Sequence, residues 1–256
     1  MASRVIACLA TALLAVACSG DERAAGPIEA DMGRPAIAPS DFVLLPCETV
    51  SARPCVIVMA GGKWLMFGAP AGAGRNAMEG DMSGLEALFL FSMHPEDVEG
   101  VDEVRNRGWR EGRGVPLPVS GPDGTSVLIE GLNAAFEQPD AISFVEDGAP
   151  KGGFSSALLR LGAEVTGDVL IYDSGDLKVQ AAAGGSGRVT YRIGYRDLSE
   201  DWHDVILRPC GGGAVSPGDH SEPTGAEIEI GCAANDMPEG SAWPLKAPVF
   251  AKETQS

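Results

Sequence analysis

Short apolar runs separated by glycine, proline and aspartate recur along the chain, a pattern typical of strands joined by tight turns. Val56–Met59 and Trp64–Phe67 flank the glycine pair Gly61-Gly62, so they predict a β-hairpin. Val169–Tyr172 and Leu177–Ala181 flank a polar turn and predict a second hairpin. The pattern therefore indicates a strand-rich body.

Helical periodicity marks two segments. In Pro95–Arg107, valines recur at every third position behind a proline that suits the start of a helix. Thr125–Phe136 follows a Gly-Pro-Asp-Gly turn and predicts a second helix. Because strands and helices interleave, we predict an α/β (or α+β) fold with a sandwich-like core. The other predicted strands are Phe42–Leu45, Leu88–Phe91, Leu117–Val119, Val189–Tyr195, Val205–Leu207 and Ala226–Ile230.

The first residues have the features of an export signal. Arg4 precedes a run of apolar and small residues over 5–17, which is too short to span a bilayer comfortably. The end of this run, Leu14–Cys18, resembles a bacterial lipobox, in which the cysteine is lipidated and becomes the mature N-terminus. We therefore expect lipidation at Cys18, with an ordinary secretory signal cleaved nearby as the alternative.

The composition along the chain predicts four segments. Residues 1–17 are expected to be the signal peptide, and 18–39 a lipidated, flexible tether rich in alanine, glycine and proline. A single domain follows over 40–234, and a loosely ordered tail over 235–256. The expected location is the bacterial cell envelope, where the lipid anchors the domain in a membrane and the domain faces the periplasm or the cell surface.

Charge and cysteine content limit the possible partners. The chain has 36 acidic and 19 basic residues, a net charge of -17, which disfavours binding to nucleic acids and to anionic lipid surfaces. Outside the signal, an even number of cysteines in an exported chain indicates disulfides. Cys47 and Cys55 lie at the two ends of the connection between two predicted strands, and antiparallel pairing of these strands would bring the cysteines together. This favours a Cys47–Cys55 disulfide and leaves Cys210 to pair with Cys232. The alternative, a zinc site, lacks CxxC spacing.

The order of motifs from Cys55 to Phe136 resembles the metallo-β-lactamase superfamily, in particular its ribonuclease Z, arylsulfatase and cyclic-nucleotide phosphodiesterase branch. Three stretches carry the resemblance: LMFGAPAG over 65–72, ALFLFSMHPEDV over 87–98, and WREGR with PLPVSGPDG over 109–124. The resemblance implies an αββα sandwich in a single domain. Beyond Ala181 the motifs are lost, so we expect the C-terminal half to be truncated or divergent.

The same resemblance shows where the metal ligands of the family are missing. The family's HxHxDH motif aligns with Ser92, His94, Glu96 and Asp97, so one histidine is kept and one aspartate becomes a longer carboxylate. The aspartate of the preceding glycine-rich loop is replaced by Gly68. The whole chain has only three histidines, fewer than the family's dinuclear site requires.

We therefore predict a non-catalytic domain that serves as a binding or scaffold module, a pseudoenzyme of a metallo-hydrolase family. We expect no cofactor. The alternative is a divergent hydrolase of phosphoesters or other esters. Such an enzyme would hold one divalent ion (zinc, manganese or magnesium) at His94, Glu96 and Asp97, with Glu96 and Asp97 as candidate acid and base. The expected partners are the membrane, through the N-terminal lipid, and an envelope protein or small ligand whose identity the sequence leaves open.

Overall fold

The computed structural model describes residues 37–47, 49, 51–75, 81–211, 217, 228–232 and 242–253, and every structural statement below concerns these residues. Three α-helices occur among them: α1 (Pro95–Val98), α2 (Val101–Arg110) and α3 (Thr125–Glu146). The strands are β1 (Phe42–Pro46), β2 (Val56–Ala60), β3 (Lys63–Phe67), β4 (Leu85–Phe89), β5 (Leu117–Pro122), β6 (Leu159–Val165), β7 (Asp168–Asp173), β8 (Leu177–Ala183), β9 (Val189–Arg196), β10 (Trp202–Leu207), β11 (Ile228–Ile230) and β12 (Val249–Lys252).

The strands form two sheets. The larger sheet has the order β12-β1-β2-β3-β4-β5-β6; its strands are antiparallel from β12 to β3 and parallel from β3 to β6. The smaller sheet has the order β11-β10-β9-β8-β7 and is antiparallel except between β10 and β11. Both predicted hairpins are present, as β2–β3 and β7–β8. Gly61 and Gly62 have positive φ in the first turn, as such a tight hairpin requires.

The two sheets pack face to face through their apolar sides. Alternate residues of each strand point inward, so the period-two pattern of the sequence becomes one continuous core. Tyr191 lies at its centre, with ring centroids 5.2 Å from Phe67, 5.8 Å from Phe89 and 5.4 Å from Phe91. Burial raises the pKa of Tyr191 well above its ordinary value, so its hydroxyl stays protonated and donates to the carbonyl of Leu90 at 2.5 Å.

The helices cover the outer face of the larger sheet. Val101 and Val104 of α2 and Ile129 of α3 pack there against the second core cluster. The sequence predicts one helix over Pro95–Arg107, but the chain has two. They are separated at Gly100, whose backbone approaches Pro70 so closely that a Cβ would lie 2.2 Å from the Pro70 carbonyl oxygen. None of the helices in the described ranges is long and apolar enough to cross a membrane.

Two sheets packed face to face, with helices outside the larger one, confirm the predicted fold class. The C-terminal half contains strands and one 3-10 turn, Phe154–Ala157, but its described residues include no α-helix after α3. The outer helix layer of the smaller sheet that an αββα sandwich would have is therefore not among the described residues. The signal peptide and lipidation predictions for residues 1–18 lie outside the described residues.

Both disulfides join the cysteines that the sequence pairs. Cys47–Cys55 closes the connection between β1 and β2, and its Cα atoms lie 5.5 Å apart. Cys210–Cys232 joins the chain after β10 to the chain after β11, where the Cα atoms lie 5.2 Å apart. The antiparallel pairing of β1 with β2 brings the ends of their connection together, as the prediction assumed.

The prediction of a loosely ordered tail over 235–256 is wrong for residues 242–253. Strand β12 pairs with β1, where Leu44 lies opposite Val249. Trp243 and Leu245 are buried in the core between the sheets. The indole N–H of Trp243 also donates to the carbonyl of Arg208 at 2.8 Å. The apolar residues of this stretch pack against the core between the sheets and hold it in place.

Asp197 connects this C-terminal strand to the smaller sheet. It lies in the turn between β9 and β10 and accepts hydrogen bonds from Lys252 of β12 at 2.5 Å and from His203 of β10 at 3.0 Å. Backbone N–H groups of Ser199 and Asp201 donate to the same carboxylate. These donors, led by Lys252 and His203, hold the pKa of Asp197 well below the ordinary aspartate range.

The lowered pKa predicts how stability depends on pH. The contribution of Asp197 is fully present above the ordinary aspartate pKa of about 4 and is lost as pH falls through the lowered value. Replacing the carboxylate (Asp197→Asn) is therefore expected to reduce the free energy of unfolding at pH 7 by about 1–3 kcal/mol. Urea denaturation at pH 7 and at about pH 3 should show a smaller difference from the wild type in acid.

Asp147→Asn is the matched control, because the Asp147 side chain is 63% exposed and its ion pair with Arg110 is long, at 3.9 Å. This control is expected to change stability little. An Asp197→Asn effect that is as small as the control's at pH 7, or that grows as the pH falls, would contradict the assignment.

Candidate functional site

A cleft lies where the parallel strands of the larger sheet end. Strands β3, β4 and β5 run in the same direction, so the loops after their carboxyl ends meet at one edge of the sheet. The loop between β8 and β9 closes the other side. The cleft has a volume of about 400 Å³ and is lined by Ser92, Met93, His94, Pro122, Asp123, Ser186, Gly187 and Arg188.

The loop after β4 is held by backbone contacts to both sheets. The N–H of Leu90 donates to Ser120 of β5 at 2.8 Å. From the smaller sheet, Tyr191 donates to the carbonyl of Leu90, and the N–H of Val189 donates to the carbonyl of Phe91 at 2.9 Å. The loop that carries the predicted site residues is therefore fixed before any ligand binds.

Ser92 and Asp97 bind each other instead of facing the cleft as a pair of free ligands. The hydroxyl of Ser92 donates to the carboxylate of Asp97, and both side chains are buried. The backbone N–H of His94 in turn donates to the Ser92 hydroxyl at 3.0 Å. The serine at the position of the family's first histidine thus fixes the loop internally.

Arg53 brings the three predicted ligand candidates together. Its Nε donates to Glu96 Oε2 at 2.7 Å, and its Nη2 lies 3.0 Å from His94 Nδ1. The same Nε lies 3.5 Å from Asp97 Oδ1, an oxygen that accepts no hydrogen bond from the protein. One guanidinium therefore contacts all three side chains for which the sequence predicts a single divalent ion.

The geometry around Gly68 shows why the segment of Arg53 lies here. Gly68 has a φ of +80°, and a Cβ at this position would lie 2.0 Å from the carbonyl oxygen of Pro54. The disulfide at Cys55 holds the same segment to the end of β1. The space of the family's loop aspartate is therefore filled by backbone, and Arg53 is directed toward His94.

These contacts do not fit a metal centre. Ser92 donates to Asp97 Oδ2, and Arg53 donates to Glu96, contacts His94 and lies 3.5 Å from Asp97 Oδ1. Within the described ranges, no group of three or more histidine, cysteine, aspartate or glutamate side chains is placed to hold an ion. Instead of binding an ion, these residues can present fixed hydrogen-bonding groups at the wall of the cleft.

Sequence reasoning missed three residues near the cleft. Arg53 lies 41 residues from His94 in sequence, and nothing in its local pattern indicates the contact. Glu164 of β6 accepts hydrogen bonds from Ser126, through its N–H and its hydroxyl, and from the N–H of Gly124; these hydrogen bonds lower the pKa of Glu164. The N-terminus of α3 is therefore already capped by a carboxylate. Arg188 lies in the β8–β9 turn, far in sequence from the lining residues that follow β4, and no local motif marks it.

Two other residues that the sequence singles out have structural roles. Trp109 is buried in the helix layer and donates its indole N–H to the carbonyl of Gly153 at 3.1 Å. Arg113 is buried beside Arg105 and donates to backbone carbonyls, and burial lowers its pKa to about 10. Neither reaches the cleft. His203 lies on strand β10 and pairs with Asp197, away from the cleft.

Comparison with known proteins adds likenesses at low identity. Human tRNase Z, short form, is 11% identical over 68% of this chain and 70% of that chain, with a TM-score of 0.49. The metallo-β-lactamase fold protein YhfI from Bacillus subtilis is 13% identical over 66% of this chain and 62% of that chain (TM-score 0.41). A diphosphatase of the PhnP family is 14% identical over 65% and 64%, with a TM-score of 0.39.

This chain's own two sheets and helix layer, together with its motif order, carry the fold assignment. The fold is a sandwich of two sheets with helices outside the larger one, and its motif order resembles that of the metallo-β-lactamase superfamily. The chain spans less than two thirds of the length of the last two of these structures. No family profile matches the chain, and no curated protein matches its sequence. Structural similarity at such low sequence identity gives no information about activity, so the function follows only from the residues of the site.

The contact between Gly68 and Pro54 predicts a large effect of a small change. Gly68→Ala adds a Cβ that clashes with the Pro54 carbonyl, in addition to a backbone penalty of about 1 kcal/mol for alanine at positive φ. We expect a total loss of about 3 kcal/mol or more in the free energy of unfolding, measured by urea denaturation.

Gly62→Ala is the matched control, because Gly62 also has positive φ, +73°, but no atom lies within 4 Å of its added Cβ. It should show the backbone penalty alone. Equal losses in the two variants would mean that the 53–55 segment does not press against Gly68.

Proposed function

We propose that this protein is a cell-envelope lipoprotein whose metallo-β-lactamase-like domain is a metal-free binding module. The observation that carries the proposal is the position of Arg53. Its guanidinium contacts His94, Glu96 and Asp97, the three side chains on which a reduced metal site would depend. The cation that these groups need is supplied by the protein itself.

Arginine cannot replace the chemistry of a metal ion. A divalent ion in a hydrolase lowers the pKa of a bound water and so supplies hydroxide near neutral pH. A guanidinium only donates hydrogen bonds and carries one charge, so it activates no water in this way. The residues are thus better suited to holding a ligand than to hydrolysing it, which supports the module over a divergent hydrolase.

The fixed cleft supports a binding role. The loop after β4, which forms one wall, is hydrogen-bonded to both sheets, so ordering it costs little conformational entropy when a ligand enters. Its volume of about 400 Å³ is of the size that small molecules occupy. A lipidated N-terminus at Cys18, followed by a tether, would hold this cleft near a membrane surface.

Removing Arg53 tests whether it acts as the internal cation. We expect the intact wild-type protein to retain no stoichiometric metal after dialysis against zinc or manganese. Arg53→Ala leaves the carboxylates of Glu96 and Asp97 without their cation, so it should take up more of either ion. Elemental analysis of the dialysed proteins gives the measurement.

Arg75→Ala is the control for loss of one positive charge, because the Arg75 side chain is 78% exposed and its ion pair among the described residues is with Glu103. It should behave as the wild type. Stoichiometric zinc or manganese in the wild-type protein would overturn the metal-free module.

The lipoprotein part of the proposal predicts a different behaviour for two N-terminal cysteines. Cys18→Ser removes the thiol that would carry the lipid, so the protein should lose a labelled fatty acid and leave the membrane fraction. Cys8→Ser changes a cysteine of the signal run and should keep the label. Label that persists in Cys18→Ser would show that the lipobox resemblance is accidental.

A further inference from the structure

The cleft contains a guanidinium for which the described residues supply no hydrogen-bonding or charged partner. Arg188 follows the turn between β8 and β9 and lines the cleft beside Ser186 and Gly187. Its side chain also packs against Gly211, where the guanidinium carbon would lie 2.9 Å from an added Cβ. The backbone carbonyl of Arg188 accepts from the N–H of Gly184 at 2.8 Å, but in the part of the chain that the structure describes its side chain makes no hydrogen bond or ion pair. Up to five N–H donors and a permanent charge are therefore available.

His94 adds a second donor to the same cleft. Arg53 has no acceptor atom, so the contact between its Nη2 and His94 Nδ1 requires Nδ1 to accept. The neutral ring must then carry its proton on Nε2. No described residue accepts from Nε2, and the ring lines the cleft. Arg53 thus sets the tautomer that makes His94 a donor.

We infer that this cleft binds a small molecule through an anionic oxygen group, a carboxylate or a phosphate, which accepts hydrogen bonds from Arg188 and from Nε2 of His94. Charge-assisted hydrogen bonds of this kind are the strong ones, and arginine matches both groups with two parallel bonds. The inference rests on the proposed function, because a metal-bound His94 would not offer this donor.

Charge and size restrict the ligand further. The protein carries a net charge of -17, which repels long polyanions, and the cleft of about 400 Å³ admits only a small molecule. Asp123 lines the cleft as well and would repel an anionic group placed beside it. The anionic group therefore binds away from Asp123, on the side of Arg188.

Calorimetric titration of the intact protein with inorganic phosphate and with acetate, in buffer with EDTA, tests the inference. EDTA removes any anion binding that depends on a metal ion. We expect saturable binding of at least one of the two anions, and the tighter one identifies the tetrahedral or the planar class. Arg188→Gln should weaken that binding by about tenfold or more, the usual cost of losing a charged donor.

Further variants separate the donor role from structural effects. His94→Asn keeps an acceptor for Arg53 but removes the Nε2 donor, and it should weaken binding; His94→Gln places an amide N–H near Nε2 and should restore part of it. Asp123→Asn removes the repulsion and should tighten binding several-fold. Arg75→Gln, a charge change outside the cleft, should leave binding unchanged.

Absence of saturable binding for both anions up to about 20 mM, well above a millimolar dissociation constant, would overturn the inference. Equal binding in wild type, Arg188→Gln and Asp123→Asn would overturn the placement of the site. Both failures leave the metal-free module intact, because that proposal stands or falls on the metal analysis. Stoichiometric metal would remove the proposed function whatever the anions do.

Discussion

The carbonyl of Pro54 lies against Gly68 in the space that a side chain would need, and the geometry of the site depends on this contact. The segment 53–55 can approach only because position 68 has no Cβ and tolerates positive φ. The disulfide between Cys47 and Cys55 fixes the segment at its far side. Arg53 follows from these two constraints: its backbone is held between a disulfide and a glycine, so its guanidinium reaches His94 with little freedom left to lose.

The site is rigid because it is attached to the core between the sheets. Tyr191 packs against Phe67, Phe89 and Phe91 and donates its hydroxyl to the carbonyl of Leu90, at the start of the loop that carries Ser92 and His94. A polar atom of the core thus holds the first turn of the functional loop. The C-terminal segment is held in a similar way, because buried Trp243 and the Asp197–Lys252 pair flank and anchor strand β12.

The sequence predicts features that depend on local pattern. The hairpins are recognised from period-two apolar runs around polar turns, and the disulfide Cys47–Cys55 from the strands on either side of it. Features that depend on distant contacts are missed. The apolar pattern does not predict strand β6, because only the two ends of this edge strand are buried. The pattern also ends the second helix at Phe136, whereas α3 continues through Pro139 to Glu146. The departures at Ser92, Glu96 and Asp97 are visible in the motif. The arginine that contacts His94, Glu96 and Asp97 lies 41 residues away from His94, and local periodicity gives no sign of it.

Exchange of a divalent ion for a guanidinium changes what the same loop can do. An ion binds through lone pairs, so it would engage His94, Glu96 and Asp97 as acceptors and leave an open position for water. Arg53 engages the same lone pairs, but it is attached covalently, has one charge and leaves no such position. The contact with Arg53 requires the proton of the neutral His94 ring to be on Nε2, and from there it can be donated to a ligand. In the proposed metal-free module, the guanidinium that takes the place of an ion also makes His94 a donor, so both changes would come from one contact on unchanged sheets.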